Sequence, residues 1–420
     1  MAPFYFINEG PETLLVIQTV ILALGSLFVY LIGREVLKKY AYSEWISCII
    51  GFAYLLYPAL QKANAYDFHG VTLATTFLLA MYYFWLKKWY SWSFFCVVLA
   101  LFTKEQLGLT TAMFGCFVII EYYLRQTGYH FSLRVIANLW KNLWNDAELR
   151  YAFITIIVSL LWVVLSMKLI IPFFRGGEHF ATDYYDHVLR EPWSIPLYLF
   201  GKGSVDYLRP LLSPLGFLSL LSPLHFLIAL PDLLINLLSS NENMRNIYFH
   251  YTSVITPFVF ISAIYGIRNA FYLKKKIAAA IPEAFSAFCI IALIAVPSLF
   301  YSYRLSSLPY AKHQDLFPWK APAGKYEDVM AWKMNLAPDD IKVSSTGVLA
   351  PHFTSRRYFY DFSWKYTLAD YVIIDEKDAL SGYLKKNTLP AYKMIQNDKK
   401  YIKIYDRNGI IVYKKLHTSL

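Results

Sequence analysis

The sequence predicts an all-α polytopic membrane bundle of about ten transmembrane segments, followed by a small C-terminal α/β domain. Of the 420 residues, 57% are hydrophobic and only 16% are charged, whereas a water-soluble chain has about 25% charged residues. The apolar residues occur in blocks of roughly twenty, which is the length that crosses a bilayer. Residues 309–420 contain no such block. These observations exclude an ordinary cytosolic enzyme and a disordered chain.

Ten apolar segments are predicted within the membrane domain, residues 1–308. They are 13–33, 44–60, 71–86, 91–103, 107–124, 151–174, 208–222, 224–239, 249–270 and 279–302. The segments at 208–222 and 224–239 are short and contain several prolines, so we expect broken or re-entrant helices there. Such breaks are tolerated where the freed backbone faces protein or a water-filled cavity.

Basic residues give the predicted orientation. Clusters of Lys and Arg follow the first, third, fifth and ninth segments. If every segment spans, these clusters share one face, which is then the cytoplasmic face. The N-terminus lies outside in this arrangement, so we expect that a span upstream of Met1 is missing. The net charge of +11 is explained by the span ends, and no basic stripe with interleaved aromatic residues indicates nucleic acid.

Residues 309–420 are predicted to form a soluble α/β domain on the outer face. Runs of β-branched residues and a hairpin signal at Asp406-Arg407-Asn408-Gly409 predict its strands. The predicted strands are Ile341–Ser345, Tyr371–Asp375, Lys400–Tyr405 and Ile410–Lys414, and the predicted helices are Met330–Asn335 and Ala379–Lys386.

Ionisable residues at the ends of the apolar segments are the candidate functional residues, because charges are expensive to keep in a membrane protein. Asp67 and His69 lie in a short turn before the third segment. Asp67 could orient the imidazole or act as a general base. The alternative is that Asp67 caps the following helix and that His69 lies at the level of the lipid headgroups.

A second charged turn, Thr103-Lys104-Glu105-Gln106, interrupts a long apolar stretch. It is either a hairpin between two spans or a buried ion pair. Lys104 could bind a phosphate as a point charge. Glu105 could be a base or the counter-ion of Lys104.

Further polar residues precede the ninth segment. Arg245 and His250 could bind a lipid phosphate, or they could lie at the membrane interface without a ligand. Asp232 is inside an apolar segment. A zinc site is conceivable from His179, Asp183 and His187 of the long outer loop, but their spacing is generic, so no metal ligand is predicted.

Several motifs occur together along the chain, namely Pro11–Gln18, Tyr66–His69, Leu101–Glu105, Ala229–Ser239 and Ala350–His352. In this order they resemble the recurring blocks of the bacterial and archaeal membrane proteins called domain of unknown function 2079. That family is itself similar to the C-type membrane glycosyltransferases. Those enzymes take sugars from polyprenyl phosphate and transfer them on the extracytoplasmic side.

The resemblance implies a C-type glycosyltransferase-like fold in a prokaryotic plasma membrane. It implies sugar transfer from a polyprenyl-phosphate donor to an envelope polysaccharide, lipid or protein, without a cofactor besides the donor; a need for divalent metal is left open. The catalytic candidates are then Asp67, Glu105 and His69, and the phosphate-binding candidates are Lys104, Arg245 and His250.

One hallmark of the C-type enzymes is missing. They carry an acidic residue in the first outer loop, and we expect that this sequence begins inside that loop. A membrane scaffold without catalytic activity therefore stays open. A transporter or flippase for a lipid-linked substrate also stays open, because broken helices and intramembrane charges suit transport.

Overall fold

The computed structural model describes residues 10–128, 142–176, 180–312, 323–382 and 385–416. Two compact units divide the chain. One is Ile17–Leu316, and the other combines Met1–Val16 with Phe317–Leu420. The described part of the first unit is built from helices, and the second contains a β-sheet.

The helices up to Leu305 follow most of the predicted apolar segments. Their bounds are α1 Pro11–Leu37, α2 Ser43–Leu55, α3 Pro58–Ala65, α4 Gly70–Leu86, α5 Tyr90–Leu101, α6 Leu107–Thr127, α7 Ala147–Leu165, α8 Ile171–Arg175, α9 Asp186–Arg190, α10 Ile195–Phe200, α11 Lys202–Leu212, α12 Pro223–Phe226, α13 Leu230–Leu238, α14 Thr256–Ile277 and α15 Glu283–Leu305. A π-helical turn joins α7 to α8. The ninth predicted segment, 249–270, begins as a helix only at Thr256.

Prolines interrupt the helices in the predicted segments 208–222 and 224–239, where breaks are expected, and also within 44–60, which the sequence predicts as continuous. Pro58 occupies the first turn of α3 and so separates it from α2; proline lacks the N–H that a continuing helix requires. The predicted segment 208–222 is the end of α11 followed by short 3-10 turns. The next segment is divided between α12 and α13. The middle of this unit is therefore built from short helices with irregular connections.

Five of the described helical stretches are long and apolar enough to cross a membrane. They are Pro11–Leu37, Ser43–Ala65, Leu107–Thr127, Ala147–Arg175 and Glu283–Leu305. Only 17% of the apolar window of Ala147–Arg175 is buried within the protein, and its Leu161 and Val164 are exposed. Apolar faces of this extent suit lipid rather than water. The number of ten spans stays a prediction.

Small residues bring α6 and α7 into close contact. A Cβ atom on Gly115 would lie 2.6 Å from Ile156 Cγ1 and 2.9 Å from the Ala152 carbonyl oxygen. Thr111 Oγ1 donates a hydrogen bond to Ser159 Oγ at 2.8 Å in the same interface. Small residues and hydroxyl hydrogen bonds are the usual means of helix packing in membranes.

The tail unit contains a five-stranded sheet. Its strands are β1 Val343–Ser345, β2 Phe359–Asp361, β3 Tyr371–Asp375, β4 Tyr401–Arg407 and β5 Ile410–Lys415, and its helices are α16 Ala323–Asn335, α17 Ala350–Phe353, α18 Phe362–Lys365, α19 Glu376–Ser381 and α20 Lys385–Asn397. The strand order is β2-β1-β3-β5-β4. The first three strands are parallel, and β5 pairs antiparallel with both β3 and β4.

Most of the predicted tail elements are present. Strand β3 has the predicted bounds, and β4 and β5 form the predicted hairpin. Asn408 and Gly409 both have positive φ there, as a tight hairpin turn requires. The predicted helix Ala379–Lys386 is wrong in its bounds, because α19 ends at Ser381 and α20 begins at Lys385; residues 383 and 384 lie outside the described residues.

Candidate functional site at the His69 end of the bundle

The turn that carries His69 is fixed to α1 by a buried glutamine. Gln18 Oε1 accepts hydrogen bonds from the His69 N–H at 3.2 Å and from Thr72 Oγ1 at 2.7 Å. Gln18 Nε2 donates to the Asn64 carbonyl oxygen at 3.3 Å. Gln18 is fully buried. The turn between α3 and α4 is therefore held on both sides by one amide.

His69 stacks on His250. The two ring centroids are 3.7 Å apart and the ring planes differ by 17°. The Tyr66 ring stacks on His69 at 5.4 Å, and the Tyr251 ring lies 4.3 Å from His250. Two histidines from distant parts of the sequence are thus brought together between aromatic rings. We call this region, with Lys104 and the turn around it, the His69 end.

The hydrogen bond of His69 fixes its tautomer. Its Nδ1 lies 2.9 Å from the Asp67 main-chain carbonyl oxygen. Because a carbonyl oxygen only accepts, Nδ1 carries the proton, and Nε2 of the neutral ring keeps its lone pair. Nε2 can therefore take up a proton from a ligand.

His250 is buried, and its Nδ1 has no hydrogen-bond partner within the described residues. Burial lowers the pKa of His250 to about 3, and the proximity of His69 and Lys104 lowers it in the same direction. His250 is therefore neutral at physiological pH. It precedes α14 in a 3-10 turn, His250–Thr252, against which α3 packs.

Lys104 lies on the turn between α5 and α6. The structure thus places the Lys104–Glu105 pair in a hairpin, which is one of the two predicted alternatives. The Lys104 side chain is half-buried, and its Nζ is 5.7 Å from the centroid of the Tyr251 ring. Because Tyr251 also contacts His250, the amine belongs to the same group of side chains.

Asp232 anchors this turn to α13. Its carboxyl is fully buried. Gln106 Nε2 donates to Oδ1 at 2.5 Å, and Thr110 Oγ1 donates to Oδ2. Lys104 and Glu105 lie within charge-interaction range. Each Asp232 carboxylate oxygen accepts from one of these side chains, so Asp232 acts here as a positioning group.

Asn236, one helical turn after Asp232, anchors the second part of the site. Its Nδ2 donates to Tyr207 Oη at 2.9 Å and to the Tyr251 carbonyl oxygen at 3.0 Å. One face of α13 therefore holds both the Lys104 turn and the backbone beside His250. This explains the polar pair in an otherwise apolar helix.

Two predicted site residues take other positions. Asp67 is exposed, and its main chain rather than its carboxylate contacts His69. Asp67 does not cap α4, because no side chain caps that helix. The Arg245 guanidinium lies 5.5 Å from the centroid of the Tyr198 ring. Tyr198 belongs to α10. No hydrogen bond or ion pair links the described Arg245 to the histidine pair.

Lys62 was not among the residues singled out from the sequence. It is only 4% exposed, and its Nζ lies 4.6 Å from the centroid of the Tyr248 ring. It belongs to α3, next to the turn of His250. A lysine so close to the end of an apolar segment is the signal that could have identified it.

No group of three or more His, Cys, Asp or Glu is arranged to hold a metal ion within the residues that the structure describes. Of the two loop histidines considered above, His179 lies outside the described residues. The His187 ring packs against Tyr198, with centroids 4.6 Å apart.

Solved structures that are similar to this chain include two of ArnT from Cupriavidus metallidurans. The structure bound to undecaprenyl phosphate has a TM-score of 0.48 at 11% identity, covering 96% of this chain and 84% of ArnT. The apo structure has a TM-score of 0.46 at 10% identity, covering 94% and 83%. No curated protein matches the sequence. The family model described as "Predicted membrane protein (DUF2079)" matches residues 1–412. The resemblance seen in the sequence motifs is therefore confirmed, and the chain belongs to the DUF2079 family of membrane proteins.

Proposed function

We propose that the protein transfers a sugar from a polyprenyl-phosphate donor to an envelope acceptor at the outer face of the prokaryotic plasma membrane. The observation that carries the proposal is the His69 end. There an imidazole with a proton-accepting Nε2 lies in the same group of rings as the Lys104 amine. A base for the acceptor and a cation for the leaving phosphate are the groups that this transfer requires.

In this reaction the acceptor hydroxyl oxygen bonds to the anomeric carbon of the sugar. The bond from that carbon to the donor phosphate oxygen breaks, and polyprenyl phosphate leaves with its negative charge. The hydroxyl proton passes to His69 Nε2, and Lys104 stabilises the phosphate. Because His250 stays neutral, His69 can become charged without facing a second positive ring.

The remaining candidates have supporting roles in the proposal. Asp67, exposed beside His69, would accept a hydrogen bond from another polar group of the acceptor and so orient the reacting hydroxyl toward His69. Glu105 would balance the charge of Lys104 before the donor binds. Arg245 would contact the donor phosphate farther from the histidine pair. The C-terminal domain, which the distribution of basic residues predicts to lie outside, would recognise the acceptor.

Membranes that contain the full-length protein provide the test. Labelled sugar is supplied on a panel of polyprenyl-phosphate donors, and its transfer to membrane acceptors is measured. We expect Lys104→Ala to lower the rate about 100-fold and Asp67→Asn about tenfold. Lys39→Ala, an exposed lysine at the other end of α1, is the matched control and should keep the native rate. Native rates for both site variants would remove these residues from the reaction, and no transfer from any donor would overturn the proposal.

A transporter for a lipid-linked substrate is the second candidate. The observation in its favour is Asp232, a fully buried carboxyl in the interrupted region of α12 and α13, since broken helices with buried charges are typical of transport sites. In reconstituted vesicles, movement of a labelled donor across the bilayer without loss of its sugar would favour this function. A scaffold would show neither movement nor transfer.

A further inference from the structure

A polar cavity lies toward the other end of α14, away from the His69 end. Its volume is about 650 Å³, and its lining includes Tyr40, Glu121, Ser222, His225, Arg268 and Asn269. The proposed sugar transfer uses none of these residues. We call this region the Arg268 end.

His225 supplies an unpartnered buried nitrogen in this cavity. The residue is only 4% exposed, and its Nδ1 lies 2.8 Å from Ser222 Oγ. Its Nε2 has no hydrogen-bond partner among the described residues. The ring stacks on Tyr265, with centroids 3.7 Å apart. Buried polar atoms are nearly always hydrogen-bonded, so this nitrogen indicates a ligand.

Arg268 supplies the positive charge. Its guanidinium lies 4.5 Å from the centroid of the same Tyr265 ring, and its Nη2 is 3.4 Å from Asn269 Oδ1. Stacking occupies the flat face of a guanidinium and leaves N–H groups at its edge for a planar or tetrahedral anion. A phosphate matches this geometry.

Glu121, on α6, restricts the choice of ligand. It is half-buried and lies within charge-interaction range of Arg125 and Arg268. Arg125 is already paired with Glu148, at 2.6 Å between Nη2 and Oε1. A bare phosphate would be repelled by this carboxylate. A ligand with a phosphate and a primary ammonium would satisfy both charges, since the ammonium can donate to the carboxylate.

The surroundings of the cavity favour a lipid as the source of this ligand. The last turn of α14 carries Lys274, Lys275 and Lys276, and a basic cluster at a helix end is typical of a segment that lies beside lipid phosphates at the membrane surface. The same turn exposes Leu273 and Ile277, which could contact acyl chains.

We propose that the cavity at the Arg268 end binds the headgroup of a zwitterionic phospholipid with a primary ammonium. The phosphate contacts the Arg268 guanidinium and accepts a hydrogen bond from His225 Nε2. The ammonium donates to the Glu121 carboxylate. No bond forms or breaks, so the lipid is a bound component of the protein rather than a substrate.

The test is lipid retention by the full-length protein in native mass spectrometry. Equal amounts of phosphatidylethanolamine, phosphatidylcholine and phosphatidylglycerol are added. We expect phosphatidylethanolamine to be retained at least tenfold over the other two. Arg268→Gln should abolish this preference, and Glu121→Gln should let phosphatidylglycerol bind equally. Arg150→Gln, an exposed arginine outside the cavity lining, is the matched control and should retain the native preference.

Two results would overturn the proposal. One is a native preference in both Arg268→Gln and Glu121→Gln. The other is competition by soluble glycerophosphoethanolamine at concentrations equal to those of the lipid, which would exclude a lipid source. If Arg268→Gln does not fold, Arg268→Lys keeps the charge without the planar edge. It should lower retention at least threefold, and native retention by that variant would also contradict the site.

Discussion

The His69 end and the Arg268 end of the bundle contain the same arrangement of three side chains, but different structural elements carry it. In each, a cation lies over a tyrosine ring, and that ring contacts a histidine. The two sets are Lys104, Tyr251 and His250 at one end and Arg268, Tyr265 and His225 at the other. The similarity shows that an aromatic ring between a cation and an imidazole does not by itself define a catalytic site.

The elements that carry the two sets differ. At the His69 end, the cation and both imidazoles are in short turns between helices. At the Arg268 end, the three side chains are on α12 and α14. Catalytic side chains often lie on connecting segments that a rigid scaffold holds in place, and Gln18, Asp232 and Asn236 hold these turns. At the Arg268 end, the helices give a fixed frame for a ligand that stays bound. We therefore assign chemistry to the first end and retention to the second.

The largest expected effect comes from the anchor of the His69 end. Asp232→Ala leaves the Gln106 amide and the Thr110 hydroxyl without their acceptor, which should lower the free energy of unfolding by about 3 kcal/mol. The midpoint of thermal unfolding in detergent measures this loss. Asp232→Asn keeps one acceptor oxygen and should lose less. An unchanged midpoint in Asp232→Ala would show that the Lys104 turn does not depend on α13.

The second effect separates the two histidines. His69→Ala should lower sugar transfer about 100-fold, since it removes the proposed base, and it should leave the unfolding midpoint near that of the native protein. The loss of sugar transfer in His225→Ala should be at least tenfold smaller than in His69→Ala. His225→Ala should instead reduce lipid retention. His187→Ala provides a control histidine outside both ends. Equal losses of transfer in the His69 and His225 variants would contradict the assignment of chemistry to one end.

The sequence predicts a strand or a turn well where a short run of residues determines it. The strand at Tyr371–Asp375 follows from a run of β-branched residues, and the hairpin follows from Asn408-Gly409. Strand β2, Phe359–Asp361, is not predicted because a run of three residues is too short to show a strand pattern, although Phe and Tyr favour strands. Its neighbour β1 supplies the pairing that makes it a strand.

The candidate site was predictable only in part. His69, Lys104 and His250 were identified because polar residues are costly at segment ends. Their mutual contacts depend on the packing of α3 and α4 against the turn before α14, which no local pattern encodes. The role of Asn236 also depends on tertiary structure, since its partner Tyr251 follows an irregular connection.

The third effect concerns pH. The pKa of His250 is lowered from 6.5 to about 3, chiefly by burial. Below about pH 6.5 the unfolded chain takes up a proton that the folded protein does not, so the free energy of unfolding falls as the pH drops toward 3. Unfolding midpoints at pH 7 and pH 5 measure this. The decline should be smaller in His250→Gln. An equal decline in both proteins would show that His250 is not the group responsible.

The smallest effect tests the difference between the two cations. Lys104 contacts the donor phosphate as a point charge in the proposed reaction, so Lys104→Arg should keep sugar transfer within about threefold of the native rate, whereas Lys104→Ala loses about 100-fold. At the Arg268 end the planar edge matters, and Arg268→Lys is not tolerated in the same way. Transfer by Lys104→Arg as low as that by Lys104→Ala would mean that the amine makes a directed contact that guanidinium cannot replace. In that case both ends would depend on the shape of the cation. They would differ only in the size of the cation that they accept.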